Sequence, residues 1–146
     1  MNVTAEQFVI TRVFEASREA VFKAWTEPEE IAAWYGPEHF DAPADSIRVD
    51  LRVGGRWEVT MVQPGTGREH PVGYEILALE PPALLVLRSD PMPEVGMHEP
   101  TVVRVELEPH GDGTRMTLTD SPQPPGSRAG AGWNAAFAKL AALLGG

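Results

Sequence analysis

The chain contains no cysteine, and this one absence removes disulfides, thiolate nucleophiles, iron–sulfur ligation and cysteine-based zinc sites together. Stability has to come from packing. Lysine is nearly missing as well: Lys23 and Lys139 stand beside ten arginines, and these 12 basic residues are scattered under a net charge of -9. No basic patch offsets the repulsion that a phosphate backbone would feel, so nucleic acid is not an expected partner. Long apolar runs are missing too. The stretch Leu84 to Leu87 is among the longest, far short of the ~20 residues of a membrane span. The opening MNVTAEQF has neither the basic flank nor the apolar centre of a signal peptide. These features predict a cytoplasmic protein with no membrane segment.

Several catalytic patterns are also missing. The four histidines, His39, His70, His98 and His110, have no second histidine or carboxylate three or four positions after them, at a helical spacing suited to a metal, so neither metal nor cofactor is expected. No G-x-S-x-G elbow occurs, and the five serines fall in caps, turns and strand ends. GSRAGAG (126–132) precedes a helix but lacks the lysine and the preceding strand of a phosphate loop. It reads as a helix entry and cap.

What is present is an ordinary globular composition. With 146 residues, 42% hydrophobic and 23% charged, the chain suits one domain spanning 1–146. FVITRVF (8–14) reads as a first strand. Ser17 is placed to cap a short helix carrying Val21, Phe22 and Trp25. Thr26 and Glu29 have capping-box spacing, which predicts a second short helix ending near Trp34, before Gly36-Pro37. From 44 to 120 the apolar period becomes two: SIRVDLRV, RWEVTMV, PVGYEILALE, ALLVLRS, and a hairpin of TVVRVEL and TRMTLTD across HGDG. The period then returns to that of a helix. In GWNAAFAKLAALL, Trp133, Phe137, Leu140 and Leu144, filled in by Ala136 and Leu143, form one apolar stripe.

Consecutive strands joined by short turns make an antiparallel sheet whose apolar face must be covered, and only the last helix is long enough to cover it. The expected class is α+β, a helix-grip arrangement: a curved antiparallel sheet of about six to seven strands around a long C-terminal helix, with two short helices after the first strand.

FEASREAVFKAWTEPEEIAAWYGP, VGGRWEVTM, GYEILALEPPALLVL, GTRMTLTD and GWNAAFAKLAALL, in that order, resemble the bacterial family named after the activator of the heat-shock-protein ATPase, within the START and birch-pollen-allergen helix-grip superfamily. The resemblance implies a pocket between the sheet and the last helix, used across the superfamily for lipids, hormones, polyketides and other apolar molecules. Some relatives are cyclases or dehydratases, and the eukaryotic namesake stimulates a chaperone. Tyr35 stands where family members commonly carry a second tryptophan.

The aromatic residues are the strongest local signal. Trp25 reads as core, whereas Trp34, Tyr35, Trp57, Tyr74 and Trp133, with Phe137 beside them, border the expected cavity, the phenols and indoles fixing a ligand's polar end. His39, just after the Trp-Tyr-Gly-Pro motif, joins this ligand-binding set at the cavity entrance. Glu58 and Glu75 alternate against apolar residues and belong on a solvated outer face. Arg12 shares the phase of Phe8, Ile10 and Phe14 and is the most conspicuous charge. On the last helix the opposite face, Asn134, Ala135, Ala138, Lys139 and Ala142, is small enough to suit a second subunit, so a homodimer is a hypothesis.

The expectation is therefore a protein that holds an apolar or amphipathic small molecule, with no covalent chemistry. The alternatives are a cyclase- or dehydratase-type enzyme using the same cavity, and a chaperone partner acting through its surface. No clustered acid–base pair is visible in the sequence, which favours binding over catalysis, and no catalytic residue is assigned.

Overall fold

Alternation of apolar and polar residues builds most of the molecule. The computed structural model describes residues 6–36, 40–91, 100–123 and 129–144. Strand β1 (Glu6–Phe14) leads into helices α1 (Arg18–Thr26) and α2 (Pro28–Trp34); β2 (Arg48–Val49), β3 (Arg56–Gln63), β4 (Arg68–Glu80), β5 (Leu84–Ser89), β6 (Val102–His110) and β7 (Gly113–Gln123) follow, and α3 (Ala129–Leu143) closes the series. The strands form one antiparallel sheet in the order β1-β7-β6-β5-β4-β3-β2. Bulges between Glu6 and Phe8 and between Ile76 and Ala78 add to its curvature, since an extra residue bends its strand. This is the α+β helix-grip arrangement that the order of periods implies.

The inner face of the sheet is apolar in phase: Ile10 and Phe14, Trp57 and Val59, Val72 and Ile76, Leu85 and Leu87, Val103, Val105 and Leu107, and Met116 and Leu118 are all buried. Outward residues are charged and paired, Arg56 with Glu58 and Asp90, Glu75 with Arg88, and Arg104 with Glu106. Glu58 and Glu75 thus lie on the solvated face that alternation assigns them. Arg12 is half-buried on the inner side of the edge strand β1 and forms no ion pair among the described residues. The edge position lets its aliphatic stem lie along apolar surface while its head reaches water.

Ser17 caps α1 as expected, its side chain accepting the Ala20 N–H at 3.2 Å. Two local expectations are corrected. Thr26 and Glu29 do not form a capping box: Thr26 ends α1 and donates its hydroxyl to the Phe22 carbonyl at 3.0 Å, while α2 starts with Pro28 at its first position and no side-chain cap. Proline there needs no N–H partner, which removes the need for a box. The strand expected over SIRVDLRV is only two residues long. The Asp50 N–H bonds the Arg56 carbonyl, that of Arg52 bonds Asp50, and that of Gly55 bonds Arg52. The chain therefore turns, Gly54 adopts φ +85°, and a Cβ on Gly55 would stand 2.0 Å from the Asp50 oxygen. Leu51 and Val53 are left exposed in this turn.

The helices are fixed to the sheet by indoles. The last carbonyls of α1 have no partner within the helix; the Trp34 indole N–H donates to the Ala24 carbonyl at 2.8 Å and the Trp57 indole to that of Trp25, also at 2.8 Å. Around them Trp25, Trp34, Trp133 and Phe137 pack edge-on or tilted, with Trp133 and Phe137 stacked, and the Trp25 and Trp34 rings lie 4.7 Å apart. Each such pair contributes about 1 kcal/mol beyond simple burial. On α3, Trp133, Ala136, Phe137 and Leu140 face this cluster, but Leu143 is 39% exposed and stands off the stripe.

Trp34→Phe or Trp57→Phe keeps most of the ring volume but orphans a buried carbonyl, so each is expected to lower stability by about 2 kcal/mol or more. Trp25→Phe, whose indole meets only the Met116 sulfur at 3.4 Å, should cost less. Urea unfolding of the three variants measures the order.

Candidate functional site

The inner face is apolar except at one end. Tyr74 pairs with Ser89 across β4 and β5, and the Ser89 N–H donates to the Thr101 carbonyl at 2.7 Å. The two hydroxyls lie 3.0 Å apart, and the Thr101 N–H donates to Ser89 Oγ at 2.8 Å. Asp120 lies one residue pair further back on β7, opposite Val103. Four polar side chains from four successive parts of the sheet thus gather on the covered face. All are buried, Asp120 being only 4% exposed.

Two residues close over them. Tyr35, which ends α2, places its hydroxyl 3.3 Å from that of Tyr74. Trp133, in the first half of α3, donates its indole N–H to Asp120 Oδ2 at 3.0 Å. The Tyr35 and Trp133 rings meet edge-on at 6.1 Å. Trp57 supports the phenols from below, 5.2 Å from the Tyr35 ring and 5.5 Å from that of Tyr74.

Besides one hydrogen of the Ser89–Thr101 hydroxyl pair, which has no acceptor among the described residues, two polar functions remain unspent. Asp120 Oδ1 has no hydrogen-bond partner among the described residues, and a buried acceptor left so is costly. The phenol pair holds two hydroxyl hydrogens, of which its mutual bond uses one; the other meets no acceptor among the described residues. Both phenols are held in their protonated form. Burial first, then the negative charge of Asp120, pushes Tyr35 up to about 12 against the lowering effect of its bond to Tyr74. Tyr74 is also raised well above 10.0, by burial and then by Tyr35 and Asp120. The site offers a phenolic donor and a carboxylate acceptor within an aromatic setting.

Of the residues expected at a ligand site, Tyr35, Tyr74 and Trp133 come together at this polar end. Trp34, Trp57 and Phe137 are fully buried in the adjoining aromatic cluster, and both of those indoles spend their N–H on α1 carbonyls. His39 lies outside the described residues, as do His98 and residues 126–128 of the glycine-rich segment. Asp120, Ser89 and Thr101 escaped the reading of the sequence. Their signal was phase: Asp120 follows Met116 and Leu118 at spacing two, and Ser89 follows Leu85 and Leu87. A concavity lies on the outer face, between Arg48, Glu58, Thr60, Gly73 and Asp90. Its best-placed charges already pair with each other through Arg56.

Two outcomes follow from the geometry. Asp120→Asn keeps an oxygen for Trp133 while removing a buried charge, and should raise unfolding free energy by about 1 kcal/mol at pH 7, checked by urea titration. Both tyrosines hold their protons more tightly in the folded than in the unfolded chain, whose phenols ionise near pH 10.0. Stability should be intact below that pH and fall as pH rises toward 12, by up to about 1.4 kcal/mol per unit per tyrosine. Tyr74→Phe should flatten this decline.

Solved structures of the same fold come from several bacteria. Protein CV1439 from Chromobacterium violaceum is 24% identical with a TM-score of 0.83, the match covering 95% of this chain and 97% of that one. Protein NE0264 from Nitrosomonas europaea is 24% identical with a TM-score of 0.81, over 99% and 96%. The AHSA1 protein from Silicibacter pomeroyi is 25% identical with a TM-score of 0.76, over 95% and 97%. No curated protein matches the sequence. A family model described as activator of Hsp90 ATPase homolog 1-like protein matches residues 15–145, and the chain belongs to that family.

Proposed function

We propose that the protein reversibly holds a small apolar or amphipathic molecule between the inner face of the sheet and α3, without covalent chemistry. The observation that carries this reading is Asp120 Oδ1, which lies in a buried aromatic setting without a hydrogen-bond partner among the described residues. Native interiors rarely leave a carboxylate oxygen unserved, and a ligand donor would serve it. Tyr35, Tyr74 and Trp133 would meet the ligand's polar end. Trp34, Trp57 and Phe137 would form the wall against which its apolar part lies.

A second reading, proton transfer of the cyclase or dehydratase kind, draws on the same cluster, since a carboxylate and two phenols are an acid–base set. It is weaker on geometry. Neither phenol is hydrogen-bonded to Asp120 among the described residues, so no proton relay connects them. Both phenols also hold their protons more tightly than a free tyrosine does.

Native mass spectrometry of the purified protein, followed by denaturing extraction, tests the binding reading. A stoichiometric apolar adduct that Trp133→Ala loses is the expected result. Clean protein that also fails to take up a neutral solvatochromic dye under saturating conditions would refute it and leave a surface partner, such as the chaperone in the family's name, as the better account.

A further inference from the structure

The donor and acceptor left over at the polar end together define a chemical class. Resting on the binding reading above, we infer that the ligand is an amphipathic alcohol whose hydroxyl donates to Asp120 Oδ1 while its oxygen accepts the spare hydrogen of the Tyr35–Tyr74 phenol pair. Four classes of polar head can be compared by counting. A ketone accepts from the phenol and gives Asp120 nothing. An ammonium gives to Asp120 and leaves the phenol without an acceptor, and it must shed a strongly held hydration shell on entering. A carboxylate is repelled by Asp120. Only a hydroxyl of these four satisfies both groups at once, and it carries no charge to desolvate. Sites that hydrogen-bond a hydroxyl reject analogues lacking it far more strongly than apolar pockets discriminate by size.

The surroundings agree with a neutral occupant. Among the described residues the other polar atoms near the pair each have a partner, and the Ser89–Thr101 hydroxyl pair keeps, by the same count, one hydrogen that a ligand oxygen can also accept. The Trp133 indole is on Asp120 Oδ2, and Ser89 and Thr101 are on each other. Arg56, Arg88, Arg104 and Arg115 pair with carboxylates on the opposite face of the sheet. Arg12 lies four residues along β1 from Phe8, the residue in register with Asp120. Among the described residues, the site therefore contains no competing cation for Asp120.

The test uses the intact protein and two matched sets: 1-octanol, octylamine, 2-octanone and octanoate, and 3-phenyl-1-propanol with its amine, methyl ketone and acid counterparts. Binding is followed through the indole N–H resonance of Trp133, assigned by its loss in Trp133→Phe. The expected result is that in at least one set the alcohol binds about tenfold or more tighter than each of the other three, a difference of about 1.4 kcal/mol. Asp120→Asn, which can turn an amide N–H toward a carbonyl, should bring the ketone to within about threefold of the alcohol. Tyr35→Phe and Tyr74→Phe together, which remove both phenol hydrogens, should bring the amine level with it. If amine or ketone equals the alcohol in wild type, the inference about class fails while the binding reading stands. If no member of either set moves the Trp133 resonance, water serves Asp120 and both fall. If the preference survives Asp120→Asn, the hydroxyl is recognised elsewhere and the assignment to Asp120 is wrong.

Discussion

Two carbonyls at the end of α1 hold the architecture together. A helix leaves its last carbonyl groups without internal partners, and in a buried position each must find a donor. Here the donors are indoles from two other elements, Trp34 of α2 and Trp57 of β3. The two bonds fix α2 and the sheet to the same short helix. Since Tyr35 follows Trp34 and Tyr74 pairs with Trp57 across β3 and β4, they also fix where the two phenols meet. The polar end of the inner face is positioned by hydrogen bonds made in its driest part.

Division of labour among the aromatic residues follows from their polar atoms. Trp34 and Trp57 use theirs on the backbone and are fully buried. Tyr35, Tyr74 and Trp133 use theirs on each other or on Asp120, and each keeps a little exposure. Ring size alone does not separate these roles, because all five rings pack within about 6 Å of another aromatic. The partner of the N–H or O–H does.

Much of the fold was legible in the sequence because it depends on local period. Strands β3 to β7 follow from spacing two, the Ser17 cap from its place before an apolar helix, and α3 from the stripe through Trp133, Phe137 and Leu140. SIRVDLRV misled because Leu51 and Val53 keep the alternation although the backbone turns, and the hydrogen bond from the Gly55 N–H to Arg52 is a turn contact that periodicity does not encode. The aromatic half of the site was equally legible, whereas its acidic half was not. Asp120 sits in an apolar phase but next to a proline-rich connection, where a polar residue reads as a strand end. Its pairing with Trp133 is a tertiary contact across that connection. Tyr35, by contrast, was conspicuous as a departure from the tryptophan common in relatives, and it is the residue that brings a second hydroxyl to the site.

Tyr35, Tyr74, Asp120 and Trp133 come from four separate pieces of chain: the end of α2, β4, β7 and α3. None of them carries the indole-to-carbonyl bonds that hold the helices in place. Selection can therefore exchange one recognition group at a time, a phenol for an indole or a carboxylate for an amide, while the frame keeps its shape. On the binding role proposed above, such a scaffold would let ligand preference diverge between descendants faster than the fold does, with each intermediate still a folded protein on which selection can act.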